Sequence, residues 1–149
     1  MKLIVFKGLI TIAYFGMIYV NYLANSLPLN NRNTGDISDS YPSLFTPSGY
    51  AFSIWGIIYL LLLNYTISYT YFTVLSDKFP KVAAYLSVIN KWFLVTCFLN
   101  ASWILAWHYL WIWTSVIIML LFLSTLIYIF ITGKEKQSAL NKTQSFLLY

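Results

Sequence analysis

Uncharged apolar runs of the length needed to cross a bilayer, roughly 20 residues, recur along the chain and are separated by polar or basic segments. The first occupies residues 8–27, with Lys7 close enough to its start to snorkel toward the headgroups. A second, over 49–75, follows Pro47, a residue suited to a first helical turn because its missing N–H would be unpaired there anyway. Trp92 to Thr132 carries no charge, and at about 1.5 Å rise per residue it is roughly twice the ~30 Å hydrocarbon core, so it divides into two helices. Neither Gly nor Pro marks the division. Trp103, Trp107, Trp111 and Trp113 crowd around His108-Tyr109, and Trp and Tyr favour the membrane interface, which places the turn at 108–110 and the spans at 92–108 and 111–132. The pattern predicts an all-α fold: a multi-pass transmembrane helical bundle, one domain over 1–149, with four spans, a long loop over 28–46 and a polar segment over 133–145. Phe146-Leu147-Leu148-Tyr149 turns apolar again and reads as the start of a fifth span.

A cleaved signal peptide is the alternative for the first run, but it exceeds the ~7–15 residues of a typical h-region, and Leu23-Ala24-Asn25-Ser26 is a poor cleavage site. Lysines then set the orientation, because Lys and Arg gather on the cytoplasmic side. Lys2, Lys7, Lys78, Lys81, Lys91, Lys134, Lys136 and Lys142 fall on one side of the predicted bundle and Arg32 alone on the other. The expectation is an integral, multi-pass protein of the cell membrane with both termini cytoplasmic. The 28–46 loop, with its polar tip at residues 30–36, either caps the helix ends or is a solvated connector.

Composition agrees with a lipid-embedded chain. It is 60% hydrophobic and 20% aromatic but only 9% charged, against about a quarter charged in soluble domains. A mean hydropathy of +0.71 excludes intrinsic disorder as well. The single Cys97 excludes a disulfide scaffold and reads as a small packing residue. The net charge of +5 is scattered between apolar runs rather than gathered on one stripe, so nucleic acid is not an expected partner.

Candidate catalysts are few. Asp36, Asp39, Asp77 and Glu135 all fall in predicted loops, which argues against a carboxylate-coupled pump. His108 is the sole histidine and reads as a hydrogen-bonded interfacial residue rather than a ligand or base. No phosphate loop, zinc spacing or nucleophile elbow is present, so neither a catalytic nor a metal site is assigned and no cofactor is required. What remains is aromatic patterning. Phe52, Trp55 and Tyr59 recur at helical spacing on the second span, and Asn100, Trp103 and Trp107 do so on the third. If the two faces meet, they enclose a flat slot with the Asn100 amide at mid-depth, suited to a planar apolar ligand with a few polar atoms. If they do not, the rings pack the bundle or touch lipid, and Asn100 bonds between helices.

The segment from Pro47 to Tyr59 (Pro47-Ser48-Gly49-Tyr50-Ala51-Phe52-Ser53-Ile54-Trp55-Gly56-Ile57-Ile58-Tyr59) resembles the start of the second helix in the tryptophan-rich sensory protein or translocator protein (TspO/MBR) family. Trp55 and Tyr59 keep the family's offsets from the proline, and Asn100-Ala101-Ser102-Trp103 is similar to its third-helix Asn-x-x-Trp element. Pro42 and Pro47 are separated where the family has a pair, and Phe52 sits one place further from the proline than the family's Phe. The family's fifth helix is represented only by residues 146–149, so the chain is read as a divergent, C-terminally truncated relative. The resemblance implies binding of a porphyrin or sterol-like lipid within the bundle, often in dimers. It implies ligand contacts from Trp55, Tyr59, Asn100 and Trp103, and less closely from Phe52, Trp107 and Tyr50. Transport, receptor or sensor roles and porphyrin breakdown have been proposed for such proteins. The expected function is therefore a membrane-embedded sensor or carrier for a planar hydrophobic ligand; the rival is a structural or accessory protein whose aromatic faces bind a partner helix.

Overall fold

The computed structural model describes residues 2–137 apart from Pro28, Phe45, Ser76 and Asp77. The described residues form helices and turns without strands: α1 (Lys2–Ser26), a 3₁₀ turn at Leu29–Asn31, α2 (Thr34–Asp39), a 3₁₀ turn at Gly49–Ser53, α3 (Ile54–Val74), α4 (Pro80–His108) and α5 (Ile112–Gln137). Among the described residues, three helical stretches are both long and apolar enough to cross a membrane: Gly49–Tyr71, Pro80–His108 and Ile112–Glu135. α1 is 25 residues long, and the side chains of residues 2–5 and 7 lie outside the described ones. Residues 138–149, including the apolar Phe146–Tyr149 stretch, and Asp77 lie outside the described residues.

α4 is the central helix. It packs closely against α1 and α5, whereas α3 touches α1 and α4 more sparsely. One apolar cluster joins Ile10, Tyr14 and Met17 of α1 to Tyr69 of α3 and to Val82, Leu86, Phe93 and Cys97 of α4. A second joins Ala24 of α1 to Trp103 and Ile104 of α4, with Trp55, Ile118 and Met119 against them. The helix ends near the first cluster carry Lys78, Lys81 and Lys134, all exposed, and the other end carries Arg32.

Several elements differ from the sequence reading. Lys81 and Lys91 are not in a loop, because α4 begins at Pro80 rather than Trp92. Pro80 is a good first residue, and Val82, Leu86, Ile89 and Phe93 are buried at helical spacing while the lysines stay exposed. Likewise α5 runs through Gly133, Lys134 and Glu135 to Gln137, since Lys, Glu and Gln continue a helix well once it leaves the apolar layer. Glu135 is therefore helical, as are Asp36 and Asp39 in α2. That short helix interrupts the predicted 28–46 loop. Asn33 accepts from the Gly35 and Asp36 N–H groups while Asp36 accepts from the Asn33 N–H, a reciprocal capping box. His108, the last residue of α4, is fully buried; its Nδ1 lies 2.8 Å from the Ile104 carbonyl, and its Nε2 has no partner among the described residues.

The turn between α4 and α5 shows how a chain reverses without glycine. The Leu110 N–H donates to the Trp107 carbonyl and the Trp111 N–H to the Ala106 carbonyl, the paired bonds of a Schellman motif, with Leu110 itself left-handed at φ 59°. A non-glycine residue there costs roughly 1–2 kcal/mol. Leu110→Gly is expected to stabilise the protein by up to about 1 kcal/mol after its lost contacts, read as a raised thermal midpoint in detergent, and β-branched Leu110→Val to lower that midpoint. The opposite ranking would contradict the left-handed turn.

Candidate functional site

Between the two apolar clusters lies a polar layer built from three helices. Asn21 of α1, 5% exposed, donates through Nδ2 to Asn100 Oδ1 of α4 at 2.7 Å and to the Met17 carbonyl at 2.9 Å. The Tyr59 hydroxyl of α3 donates to Asn21 Oδ1 at 2.7 Å, and the Tyr14 hydroxyl donates to the Tyr59 backbone carbonyl at 2.9 Å. A buried amide without partners is costly, and each amide here satisfies another. Asn21 is the hub, and it was not among the residues singled out from the sequence. Its signal was available: it is a strong amide inside an apolar span, as Asn100 is.

An aromatic ladder rises beside this layer. Tyr59 and Trp55 lie 5.9 Å apart, Trp55 and Trp103 5.6 Å, and Trp103 and Trp107 6.3 Å, with interplanar angles of 29°, 29° and 25°. The faces predicted to meet do so, ring on ring. A planar ligand between Trp55 and Trp103 needs about 7 Å, two van der Waals contacts of ~3.5 Å, so the rings themselves occupy the slot. Phe52 lies in the 3₁₀ turn ahead of α3 and is half-buried, and Tyr50 in the same turn is 83% exposed. Neither joins the ladder.

Open space flanks the ladder in two places. A cavity of about 590 Å³ between α4 and α5 is walled by Trp103 and Trp107 on one side and by Ser115, Val116, Met119, Leu120 and Leu123 on the other. A second, about 360 Å³, lies between α1 and α3 and exposes Asn21, Asn25, Tyr22 and Tyr59. The first is apolar with flat aromatic walls; the second offers amides and hydroxyls. Neither includes Phe52 or Tyr50.

The chain between α1 and α3 folds back over these helix ends. Trp107 Nε1 donates to the Thr34 carbonyl at 3.3 Å, Asn30 Nδ2 donates to the terminal His108 carbonyl at 3.1 Å, and Thr34 Oγ1 donates to Asn25 Oδ1 at 3.3 Å. Ile37 of α2 is fully buried. Asn30 and Asn31 take left-handed φ of 57° and 58°, a conformation asparagine tolerates, so the loop turns sharply enough to bring Thr34 onto Trp107. Among the described residues, no group of three or more His, Cys, Asp or Glu could hold a metal ion.

Breaking the polar layer tests its reality. Asn21→Leu and Asn100→Leu are each expected to destabilise by about 1–3 kcal/mol through the partners left unpaired. The double variant should cost less than the sum, with a coupling of roughly 0.6–1.7 kcal/mol, the range for bonds between membrane helices. Additivity within ~0.5 kcal/mol would mean the two amides do not bond.

Comparison with known proteins gives one family. A family model described as TSPO-like protein matches residues 7–149, nearly the whole chain, and the chain belongs to that family. No curated protein and no solved structure gives a significant match.

Proposed function

We propose that this TSPO-like protein is a four-span membrane-embedded binding protein, a sensor or carrier, for a planar hydrophobic ligand such as a tetrapyrrole or sterol-like lipid. The observation that carries the reading is the stack of Trp55, Trp103 and Trp107 against the 590 Å³ apolar cavity. That volume lies within the roughly 300–1,000 Å³ of small-molecule sites, and its lining is of the usual kind, apolar walls with few polar groups. The ligand lies along the α5 side of Trp103 and Trp107 rather than between Trp55 and Trp103. Trp55 backs Trp103, and the Thr34 carbonyl holds the Trp107 ring by its N–H, so the wall is ordered before the ligand arrives. Asn100 and Tyr59 act through Asn21, fixing α1, α3 and α4 relative to one another. α1 serves as the fourth span, its amides satisfied inside the bundle, and the lysine-bearing end faces the cytoplasm with both termini.

A partner helix, including one from a second copy, is the rival occupant. α3 and α5 expose long apolar rows, among them Ile57, Leu61, Ile117, Leu121 and Phe130, which lipid covers equally well.

Tryptophan quenching by protoporphyrin in lipid nanodiscs separates these readings. Saturable quenching is expected in the native chain, with affinity lowered about 2- to 10-fold in Trp103→Phe and Trp107→Phe, the equivalent of one aromatic contact of ~0.5–1.5 kcal/mol. Trp113→Phe, altering a ring 84% exposed, should leave the affinity unchanged. Linear quenching, identical in all four proteins, would be partition into lipid and would overturn the proposal.

A further inference from the structure

At the lysine-bearing end of the bundle a separate cavity of about 430 Å³ opens between α3, α4 and α5, lined by Tyr65, Tyr85, Ile89, Ile129, Phe130, Gly133 and Lys134. It shares no residue with the Trp103 cavity or with the polar layer. We infer that this cavity is a binding site for one anionic phospholipid, whose phosphate meets Lys134 and whose chain runs inward past Ile129 and Phe130.

The lining has two characters in the order a lipid presents them. Lys134 is exposed at the mouth and, among the described residues, is the only charged side chain in the wall. Beside it Gly133 is buried, and a Cβ there would lie 3.3 Å from the Tyr85 hydroxyl oxygen and 3.7 Å from Ile89 Cδ1. The missing side chain thus lets the Tyr85 hydroxyl sit against α5, next to Lys134. Ile129 and Phe130 are one turn further along α5 toward the bundle interior. The inner wall is preformed: the Tyr65 hydroxyl donates to Asn90 Oδ1 at 2.7 Å, and its ring lies 5.0 Å from that of Phe93.

The depth also fits. Trp92 of α4 and Tyr128 of α5 pack together at 4.5 Å, the residue types that mark the headgroup boundary. Lys91, beside Trp92 on α4 and exposed, lies about 8 Å deeper than Lys134 by the Trp92–Tyr128 pairing, outside the lining of the cavity. Anionic lipids concentrate in the leaflet that faces basic segments. The Trp103 cavity, with Ser115 and the indoles as its polar members, has no cation among its described lining residues to select such a headgroup.

The native chain in neutral detergent, titrated with phosphatidylglycerol, phosphatidylcholine or inorganic phosphate and read by native mass spectrometry, tests this. Saturable retention of one phosphatidylglycerol per chain is expected, with phosphatidylcholine retained several-fold more weakly. Lys134→Gln, a surface change checked for fold by circular dichroism, should weaken phosphatidylglycerol roughly fivefold to the phosphatidylcholine level, while Lys91→Gln leaves it intact. Gly133→Leu, which fills the space, should reduce both lipids. Equal retention of the two lipids, or equal losses in the two lysine variants, would overturn the site in favour of diffuse surface attraction. Displacement of phosphatidylglycerol by inorganic phosphate would make it a free-anion site and overturn the lipid assignment.

Discussion

In hydrocarbon a buried amide has no water to turn to, and apolar faces gain little by leaving lipid for one another. The bond from Asn21 to Asn100, with Tyr59 donating into the same Asn21 side chain, is therefore the tie that sets α1, α3 and α4 in register. α3 depends on it most, since its packing against the rest is sparse. Its hold at this level consists of Tyr59 on Asn21, Tyr14 on the Tyr59 carbonyl, and Trp55 against Trp103, and nearer its other end of Tyr65 on Asn90 and the buried Tyr69. The polar layer and the aromatic ladder share Tyr59, so a shift of α3 moves both.

From that tie the remaining geometry follows in order. Fixing Asn100 fixes the face of α4 on which Trp103 and Trp107 lie one and two turns further on. Trp107 then meets Thr34, and the returning chain also covers the end of α4 through Asn30 and the His108 carbonyl. On the other side of α4 the same two indoles wall the cavity toward α5. α4 thus carries the connection between a structural bond, an aromatic surface and an open apolar cavity.

Much of this was legible in the chain itself. Charge-free runs marked apolar helices, and the offsets among Pro47, Trp55, Tyr59, Asn100 and Trp103 carried a family resemblance that the match over residues 7–149 supports. What escaped were features that depend on partners. Pro80 was a readable helix start, but Lys81 and Lys91 obscured it, because lysine is tolerated on an exposed helical face. The turn was expected at 108–110, but the left-handed conformation of Leu110 was not readable, since it is imposed by the bonds around it rather than by its own preference. Asn33 and Asp36 stood at capping-box spacing, yet only a six-residue helix follows, too short for a periodic pattern. At the site, spacing showed which rings share a face but not how closely the faces approach, and it therefore left room for a ligand where Trp55 and Trp103 touch.

In the proposed function, Trp103 and Trp107 form the wall of a ligand cavity on the α5 side of the ladder. Fluorine NMR of the protein carrying fluorotryptophan, each indole assigned by single Trp→Phe variants, reads this directly as protoporphyrin is added in nanodiscs, because a bound macrocycle shifts the rings it lies against. Saturable shifts are expected at Trp103 and Trp107, a smaller one at Trp55 behind them, and none at Trp92 or Trp113. Shifts led by the exposed Trp113, with Trp103 and Trp107 unmoved, would contradict that assignment.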